Sequence, residues 1–180
     1  LSLALAALPA AAGPHDHEPG SPGARAHALW KEAAGLHIDG DYEGAIELYR
    51  RALAIHPTAR IHNYLAWSLS ELGRYEAAER QSRAAIRLDP DYPNAYNDLG
   101  AYLVEQGRAA EAEPWLRKAT RMEGYCCTHF AWYQLGRALL LQSRLDEARS
   151  ALETSLMIHP GYQPASALLA RLRESGMQRM

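Results

Sequence analysis

Two short clusters of histidine, cysteine and aspartate contain the residue types that could bind a metal in this chain. The first is His15-Asp16-His17, where imidazole and carboxylate groups, both ordinary metal ligands, stand side by side. The cluster lies in a stretch rich in Gly, Pro and charge, and such a segment supplies no surrounding groups to orient the ligands. We therefore interpret it as a solvated linker and predict no metal there.

The second cluster is Cys126, Cys127 and His129, and it contains both cysteines of the chain. Adjacent cysteines lack the C-x2-C spacing of a zinc site, and there is no second pair to complete one. They also cannot form a disulfide framework that closes a loop. A redox-sensitive or intermolecular thiol fits the pattern better than a structural metal, and a thiol or metal site here is one alternative hypothesis for function.

The remaining residues give no sign of catalysis. The sequence contains no G-x-S-x-G elbow, no HExxH helix and no glycine-rich phosphate loop. We predict that the chain is not an enzyme and uses no cofactor. With 19 basic and 21 acidic residues it also lacks the positive charge of a nucleic-acid-binding protein.

The first 25 residues differ in composition from the rest. Residues 1–12, LSLALAALPAAA, resemble the end of a bacterial signal peptide, and cleavage after Ala12 would fit the small-residue pattern of Ala10 and Ala12. This interpretation predicts a periplasmic or secreted protein, and otherwise the prediction is cytoplasmic. Residues 13–25 are predicted to be a disordered linker. No apolar run reaches the roughly 18 to 20 residues of a membrane span, so the folded part is not expected to insert into a membrane.

Four similar segments follow the linker. They are ALWKEAAGLHIDGDYEGAIELYRRALAIHP, RIHNYLAWSLSELGRYEAAERQSRAAIRLDP, NAYNDLGAYLVEQGRAAEAEPWLRKATRMEG and FAWYQLGRALLLQSRLDEARSALETSLMIHP. Each has an apolar stripe with helical spacing, a short polar turn and a second stripe, which predicts two antiparallel helices. Equivalent small residues are Ala33, Ala66, Gly100 and Gly136, with offsets of 33, 34 and 36 residues.

The period and the order of residue types resemble the tetratricopeptide repeat family over about residues 26–174. The fourth copy shows the pattern most fully, as Trp132, Leu135, Gly136, Leu139, Ala148, Leu152 and Pro160. The second copy departs from it at His62 and Ser82, and the first at Glu32. The resemblance implies an all-α fold, a right-handed superhelical solenoid of four antiparallel helix pairs with a C-terminal capping helix.

The repeats are predicted to be 26–58, 59–92, 93–127 and 128–161, followed by the capping helix and tail in 162–180. Two irregularities stand out in the third repeat. Pro114 falls in its second helix, and we expect it in the first turn, where a proline needs no hydrogen-bond partner. Two extra residues before the fourth repeat predict a longer connection around 124–128.

The resemblance also implies a function, which is that of a scaffold or adaptor that binds an extended peptide or a helix of another protein in a concave groove. The first helices of the repeats line this groove. Side chains at the groove positions of these helices are Trp30, His37, Arg60, Asn63, Trp67, Asn97, Tyr133 and Arg137. Trp, Tyr and Arg are enriched at interface hot spots, and Asn can pair with a peptide backbone. Alternatively, Trp67 and Tyr133 pack between neighbouring helices.

The groove residues exclude one known class of partner, and a second function remains as an alternative. The family's carboxylate clamp for chaperone C-termini requires Lys and Asn at positions that Trp30, Ala34 and Tyr64 occupy here, so such a ligand is not expected. The second alternative hypothesis for function is self-assembly, in which exposed ends or the convex face join copies of the chain into a homo-oligomer.

Overall fold

The computed structural model describes residues 18–177, with side chains described to Glu174. Within this range the chain forms nine α-helices and no strand. The helices are α1 Pro22–Ile38, α2 Tyr42–Ile55, α3 Ala59–Glu71, α4 Tyr75–Leu88, α5 Pro93–Glu105, α6 Ala109–Ala119, α7 Thr128–Leu141, α8 Leu145–Ile158 and α9 Gln163–Met177. The predicted signal-peptide remnant, residues 1–12, and the His15-Asp16-His17 cluster lie outside the described residues.

The helices belong to two compact units, of which the first ends at Tyr92 and the second begins at Pro93. In unit 1, α1 packs on α2 and α3 packs on α4, and both α1 and α2 contact α3. In unit 2, α5 packs on α6 and α7 on α8, and both α5 and α6 contact α7. The final helix α9 packs on α8. Each unit therefore contains two antiparallel pairs whose first helices are neighbours.

The first helix begins earlier than the sequence analysis predicted. Ser21 is its N-cap, and the Ser21 hydroxyl oxygen accepts a hydrogen bond from the backbone N–H of Ala24 at 3.0 Å. Pro22 occupies the first turn, where its missing N–H has no cost and its fixed φ suits a helix. Ser followed by Pro is a strong helix start. The linker predicted over 13–25 is therefore wrong at its end, because residues 22–25 are helical.

Each pair turns through one residue in the left-handed conformation. Three of these are glycines, Gly40, Gly73 and Gly107, and the fourth is Ser143, with φ of 60°. The N–H groups that follow donate back to the end of the first helix, as from Arg144 to the carbonyl of Leu139 at 3.0 Å. This geometry ends the first helix and lets the chain reverse at once. Ser143 adopts it without the freedom of glycine.

Close packing within a pair depends on a small residue in the first helix. A Cβ built on Gly100 would lie 2.4 Å from Cγ of Leu116, and one on Gly136 would lie 2.9 Å from Cγ of Leu152. Both leucines are completely buried. The equivalent residues of the first two pairs, Ala33 and Ala66, have no exposed surface. The small residues therefore act in packing, as the sequence pattern indicates.

Pro114 does not lie where we expected. Helix α6 begins at Ala109, so Pro114 is in its second turn and interrupts the hydrogen-bond ladder at Ala110. Both residues are exposed, so water can reach the Ala110 carbonyl that lacks its usual donor. The helix is also short, with 11 residues against 14 in α8. The connection that follows, residues 120–127, is eight residues long, whereas 56–58 and 159–162 suffice elsewhere.

The exposed end of the last pair is covered by α9. Ala165 and Leu169 of α9 form a buried cluster with Leu152 of α8, and Leu168 and Leu172 pack against its edge. A terminal helix of this kind removes from water the apolar surface that a further repeat would cover. Among the described residues, no helix is long and apolar enough to cross a membrane.

A network of charges joins α6 to the turn between α7 and α8, and so joins the two pairs of unit 2. The Glu113 carboxylate accepts hydrogen bonds from Arg117, from Gln142 at 3.1 Å and from Arg144 at 2.6 Å. Burial alone would raise the pKa of Glu113, but these hydrogen bonds outweigh it and lower the pKa below its usual value. In unit 1 the two helix pairs are linked by an exposed ion pair between Arg74 and Glu43.

Ser143 gives a direct test of the turn geometry. Replacing it with glycine should stabilise the protein by about 0.5 to 1 kcal/mol, because an L residue is strained in this conformation and glycine is not. The free energy of unfolding in urea, followed by circular dichroism, measures the change. The matched control Ser143→Ala keeps the strain and should not stabilise, so equal effects of Gly and Ala would contradict this account.

Candidate partner-binding surface

The first helices of unit 1, α1 and α3, are joined side by side by aromatic rings. The Trp30 and Tyr64 ring centroids are 5.2 Å apart in an edge-to-face arrangement, and those of His37 and Trp67 are 4.2 Å apart. Both contacts bring together residues that the sequence spacing assigned to the first helices. Aromatic pairs of this kind contribute about 0.5 to 1.5 kcal/mol beyond the area they bury. They therefore fix the two helices into one surface, which we call the α1–α3 face.

Trp67 is the more exposed of the two tryptophans on this face. Its exposed fraction is 45%, although one side of the indole lies against His37. The indole N–H donates a hydrogen bond to the Glu71 carboxylate, one helical turn away, at 2.9 Å. The ring is held at two points before any partner arrives, so binding would cost little side-chain entropy. Packing between the helices, the alternative role for Trp67, explains the side of the ring that contacts His37. It does not explain the exposed side.

A cation lies beside the second tryptophan of the face. The Arg60 guanidinium is 5.5 Å from the Trp30 ring centroid, and His27 stacks on the same ring at 5.1 Å. Arg60 is exposed, whereas the Nε1 atom of Trp30 is buried and donates to no group among the described residues. Trp30 thus holds the Arg60 guanidinium through a cation–π interaction. The surface offers an aromatic group and a cation close together.

Two predicted contact residues of unit 1 lie below the surface. His37 and Asn63 have exposed fractions of 7% and 5%. His37 Nδ1 is 2.8 Å from the Ser68 hydroxyl, which fixes the imidazole beneath Trp67. Burial lowers the pKa of His37, and the opposing effect of the Glu71 carboxylate is smaller. His37 therefore acts in this structure as a neutral support for Trp67, and we correct its expected place in the groove.

The first helices of unit 2 form a second face, the α5–α7 face. Arg137 of α7 pairs with Glu105 of α5 at 2.7 Å and donates a hydrogen bond to the Gln134 side-chain oxygen at 3.0 Å. Its guanidinium is also 6.0 Å from the Tyr133 ring centroid. The Tyr133 ring in turn contacts the ring of Tyr162, the residue before α9, edge-to-face at 5.3 Å. Arg137 and Tyr133 both keep part of their surface exposed.

Asn97 is buried in unit 2, with an exposed fraction of 7%, so its expected place at the surface is corrected as well. Its Nδ2 donates to the Asp98 carboxylate at 2.9 Å, while its Oδ1 accepts no hydrogen bond from the described residues. Positions in a repeat define the side of the helix on which a residue lies. They do not define how deeply the neighbouring helix covers it.

Some exposed residues of the two faces were missing from the predicted set. Ile38 is 82% exposed, and Glu71 and Glu105 hold Trp67 and Arg137. All three are the thirteenth residues of their repeats, which begin at residues 26, 59 and 93. The predicted contact residues are aromatic, amide, imidazole or cationic, whereas these three are an aliphatic residue and two carboxylates.

No group of three or more His, Cys, Asp or Glu side chains lies close enough to hold a metal ion within the described part of the chain. His129, which the sequence analysis grouped with the cysteines, is buried. Its ring packs between Phe130 at 4.1 Å and His159 at 4.7 Å. His129 is therefore part of an aromatic cluster.

Known protein families and individual proteins show similarity to this chain. Two family models described as tetratricopeptide repeat match residues 64–123 and 131–162, which together are just over half of the sequence. The small glutamine-rich tetratricopeptide repeat-containing protein 2 of Mycosarcoma maydis is 29% identical over 101 residues, or 56% of the chain. The chain spans only 29% of that protein's length.

Solved structures agree with the fold. PilF of Pseudomonas aeruginosa is similar with a TM-score of 0.81 and 24% identity, over 87% of this chain and 71% of PilF. YrrB, described as a tetratricopeptide repeat protein with an unusual peptide-binding site, has a TM-score of 0.67 and 19% identity, over 79% of this chain and 73% of YrrB. At these identities the likeness concerns the fold alone, and it confirms the predicted all-α helical solenoid.

The buried His37 predicts how stability depends on pH. In the unfolded chain His37 binds a proton near its usual pKa of 6.5, whereas in the folded protein it does so only at lower pH. The unfolded state then binds more protons, so the free energy of unfolding should fall as the pH drops below 6.5. His37→Gln should reduce that slope by up to about 1.4 kcal/mol per pH unit.

Urea unfolding at pH 8, 6.5 and 5.5 measures this slope. The value at pH 8, where the imidazole is neutral in both states, separates lost packing from lost titration. Burial also lowers the pKa of His62 and His129, so part of the slope should remain in the variant. An unchanged slope in His37→Gln would show that His37 does not titrate in this way.

Proposed function

The chain belongs to the tetratricopeptide repeat family, and from this premise we propose that it is an adaptor that binds an extended peptide or a helix of a partner protein. Interaction with other proteins is the general role of such scaffolds. The proposal is that the first helices supply the contacts, through the α1–α3 face of unit 1 and the α5–α7 face of unit 2.

The observation that carries the proposal is the half-exposed indole of Trp67. A tryptophan that is fixed by His37 and Glu71, yet leaves nearly half of its surface in water, has the character of an interface hot spot. Ile38, on the neighbouring helix, adds an exposed aliphatic side chain. An apolar side chain of the partner would remove these groups from water, which is the main source of favourable energy in association.

The charges on the two faces define the partner further. Arg60 is exposed beside Trp30, whereas Arg137 is paired with Glu105 and Trp67 with Glu71. Cations and carboxylates are thus mixed, and a partner with a single strong charge of either sign would meet like charges. We therefore propose a segment with an apolar or aromatic anchor and polar groups of both signs around it. The description of YrrB as peptide-binding, on a similar fold, supports this class of ligand.

Trp67→Ala is the sharpest test of this surface. Affinity purification from native lysate with the wild-type chain first identifies a partner, and titration calorimetry with that purified partner then measures the dissociation constant. Loss of a hot-spot tryptophan should weaken binding by at least about 30-fold, which corresponds to about 2 kcal/mol. Arg60→Ala and Arg137→Ala test the cations of the two faces in the same way.

Met157→Ala is the matched control, because Met157 is exposed on α8, a second helix that forms neither face. It should leave the dissociation constant within about threefold of the wild-type value. Equal affinities of the wild type and Trp67→Ala would refute the assignment of the α1–α3 face. A loss confined to Met157→Ala would place the partner on the second helices instead.

Export from the cytoplasm is a separate part of the proposal and depends only on the residue pattern of 1–12. If this segment is the end of a signal peptide, the mature protein should begin at Gly13 and appear in the periplasmic or secreted fraction of the native cells. Cell fractionation and N-terminal sequencing of the native protein check both points. A cytoplasmic protein that retains residues 1–12 would contradict export.

A further inference from the structure

The two cysteines of the chain lie next to each other at the surface of unit 2. Cys126 is exposed and Cys127 partly exposed, and their sulfur atoms are 3.1 Å apart, with one thiol hydrogen-bonded to the other. They end the connection 120–127, which is longer than 56–58 or 159–162. The two sulfur atoms are therefore close enough, and exposed enough, to bind one metal ion together.

The structure leaves the thiols available. Cys127 is the N-cap of α7, but its side chain makes no capping hydrogen bond, whereas Ser21, Asp41 and Thr58 do so in α1, α2 and α3. A disulfide between them would be strained, because adjacent Cα atoms are about 3.8 Å apart and disulfides prefer about 5.5 Å. Strained disulfides are easily reduced, so the dithiol is the favoured form.

The number of donors selects the ligand. Zinc in structural sites takes four ligands, iron–sulfur clusters take four cysteines, and calcium and magnesium take oxygen atoms. Here there are two sulfur atoms, and no third His, Cys, Asp or Glu joins them among residues 18–174. Soft thiolates favour Cu(I), an ion that is stable with as few as two ligands. We propose that Cys126 and Cys127 form a two-sulfur chelating site for Cu(I).

Binding is an exchange of protons for the metal. Two S–H bonds break, two Cu–S bonds form and two protons pass to the solvent, with no change in the oxidation state of copper or sulfur. The Cu(I) dithiolate has a net charge of −1 and lies at the N-terminus of the 14-residue helix α7, whose dipole favours negative charge there. Because two protons are released for each Cu(I) bound, the affinity should rise by up to about 100-fold per pH unit while both thiols are protonated.

The test uses the full chain without oxygen and titrates Cu(I) against bicinchoninate, a coloured Cu(I) chelator. The wild type should bind one Cu(I) per chain. Cys126→Ser and Cys127→Ser should each weaken binding by at least about 100-fold, because one thiol cannot chelate. Circular dichroism checks that the helices are retained. This is expected because Cys126 is exposed and the Cys127 side chain makes no capping hydrogen bond.

Three results would overturn the proposal. They are wild-type affinity in either serine variant, one Cu(I) per two chains with a copper-dependent dimer in light scattering, and nitrogen in the first shell of copper by X-ray absorption. Zn(II) is the selectivity control, and it should bind at least about 100-fold more weakly than Cu(I) because two of its four positions lack protein ligands. Trp67→Ala should bind Cu(I) like the wild type, so this test is independent of the partner-binding surface.

Discussion

In each helix pair a small residue of the first helix lies against the second helix, and the rest of the structure depends on this close approach. Leu116 and Leu152 occupy the space where Gly100 and Gly136 lack a side chain. The short distance between the backbones is what allows one left-handed residue, such as Gly107 or Ser143, to connect the two helices. Since the second helices bury their large apolar residues within the pair, the outer side of the first helices is left for polar and aromatic groups.

Contacts made from one pair to the next organise the candidate site. His37 and Trp67 lie 30 residues apart in the chain, and Arg137 and Glu105 lie 32 apart, yet each pair of side chains meets because first helices are neighbours. These contacts orient the exposed side chains before a partner binds. Binding therefore loses little side-chain conformational entropy. The repeat thus supplies both the frame and the positioning, while the residue types that vary between repeats supply the chemistry.

The regular part of the structure could be predicted from the sequence and the irregular part could not. The apolar spacing repeats four times and the turn glycine three times, so the helix pairs and their order follow from local rules. The start of α1 at Pro22 and the place of Pro114 in the second turn of α6 were mispredicted, because each depends on where a cap begins the helix. The burial of His37 was missed for another reason, since it depends on Ser68 and Trp67 of the following repeat.

The proline of α6 has a consequence for how unit 2 opens. Helix α6 is the shortest of the nine described helices, it lacks the backbone hydrogen bond that Pro114 cannot donate, and it is followed by the long connection 120–127. Local unfolding takes place where the fewest interactions must be broken, and hydrogen exchange reports it residue by residue. Amide protons near the end of α6 should therefore exchange before those of α8, although Glu113 of α6 pairs with Arg144, the residue before α8.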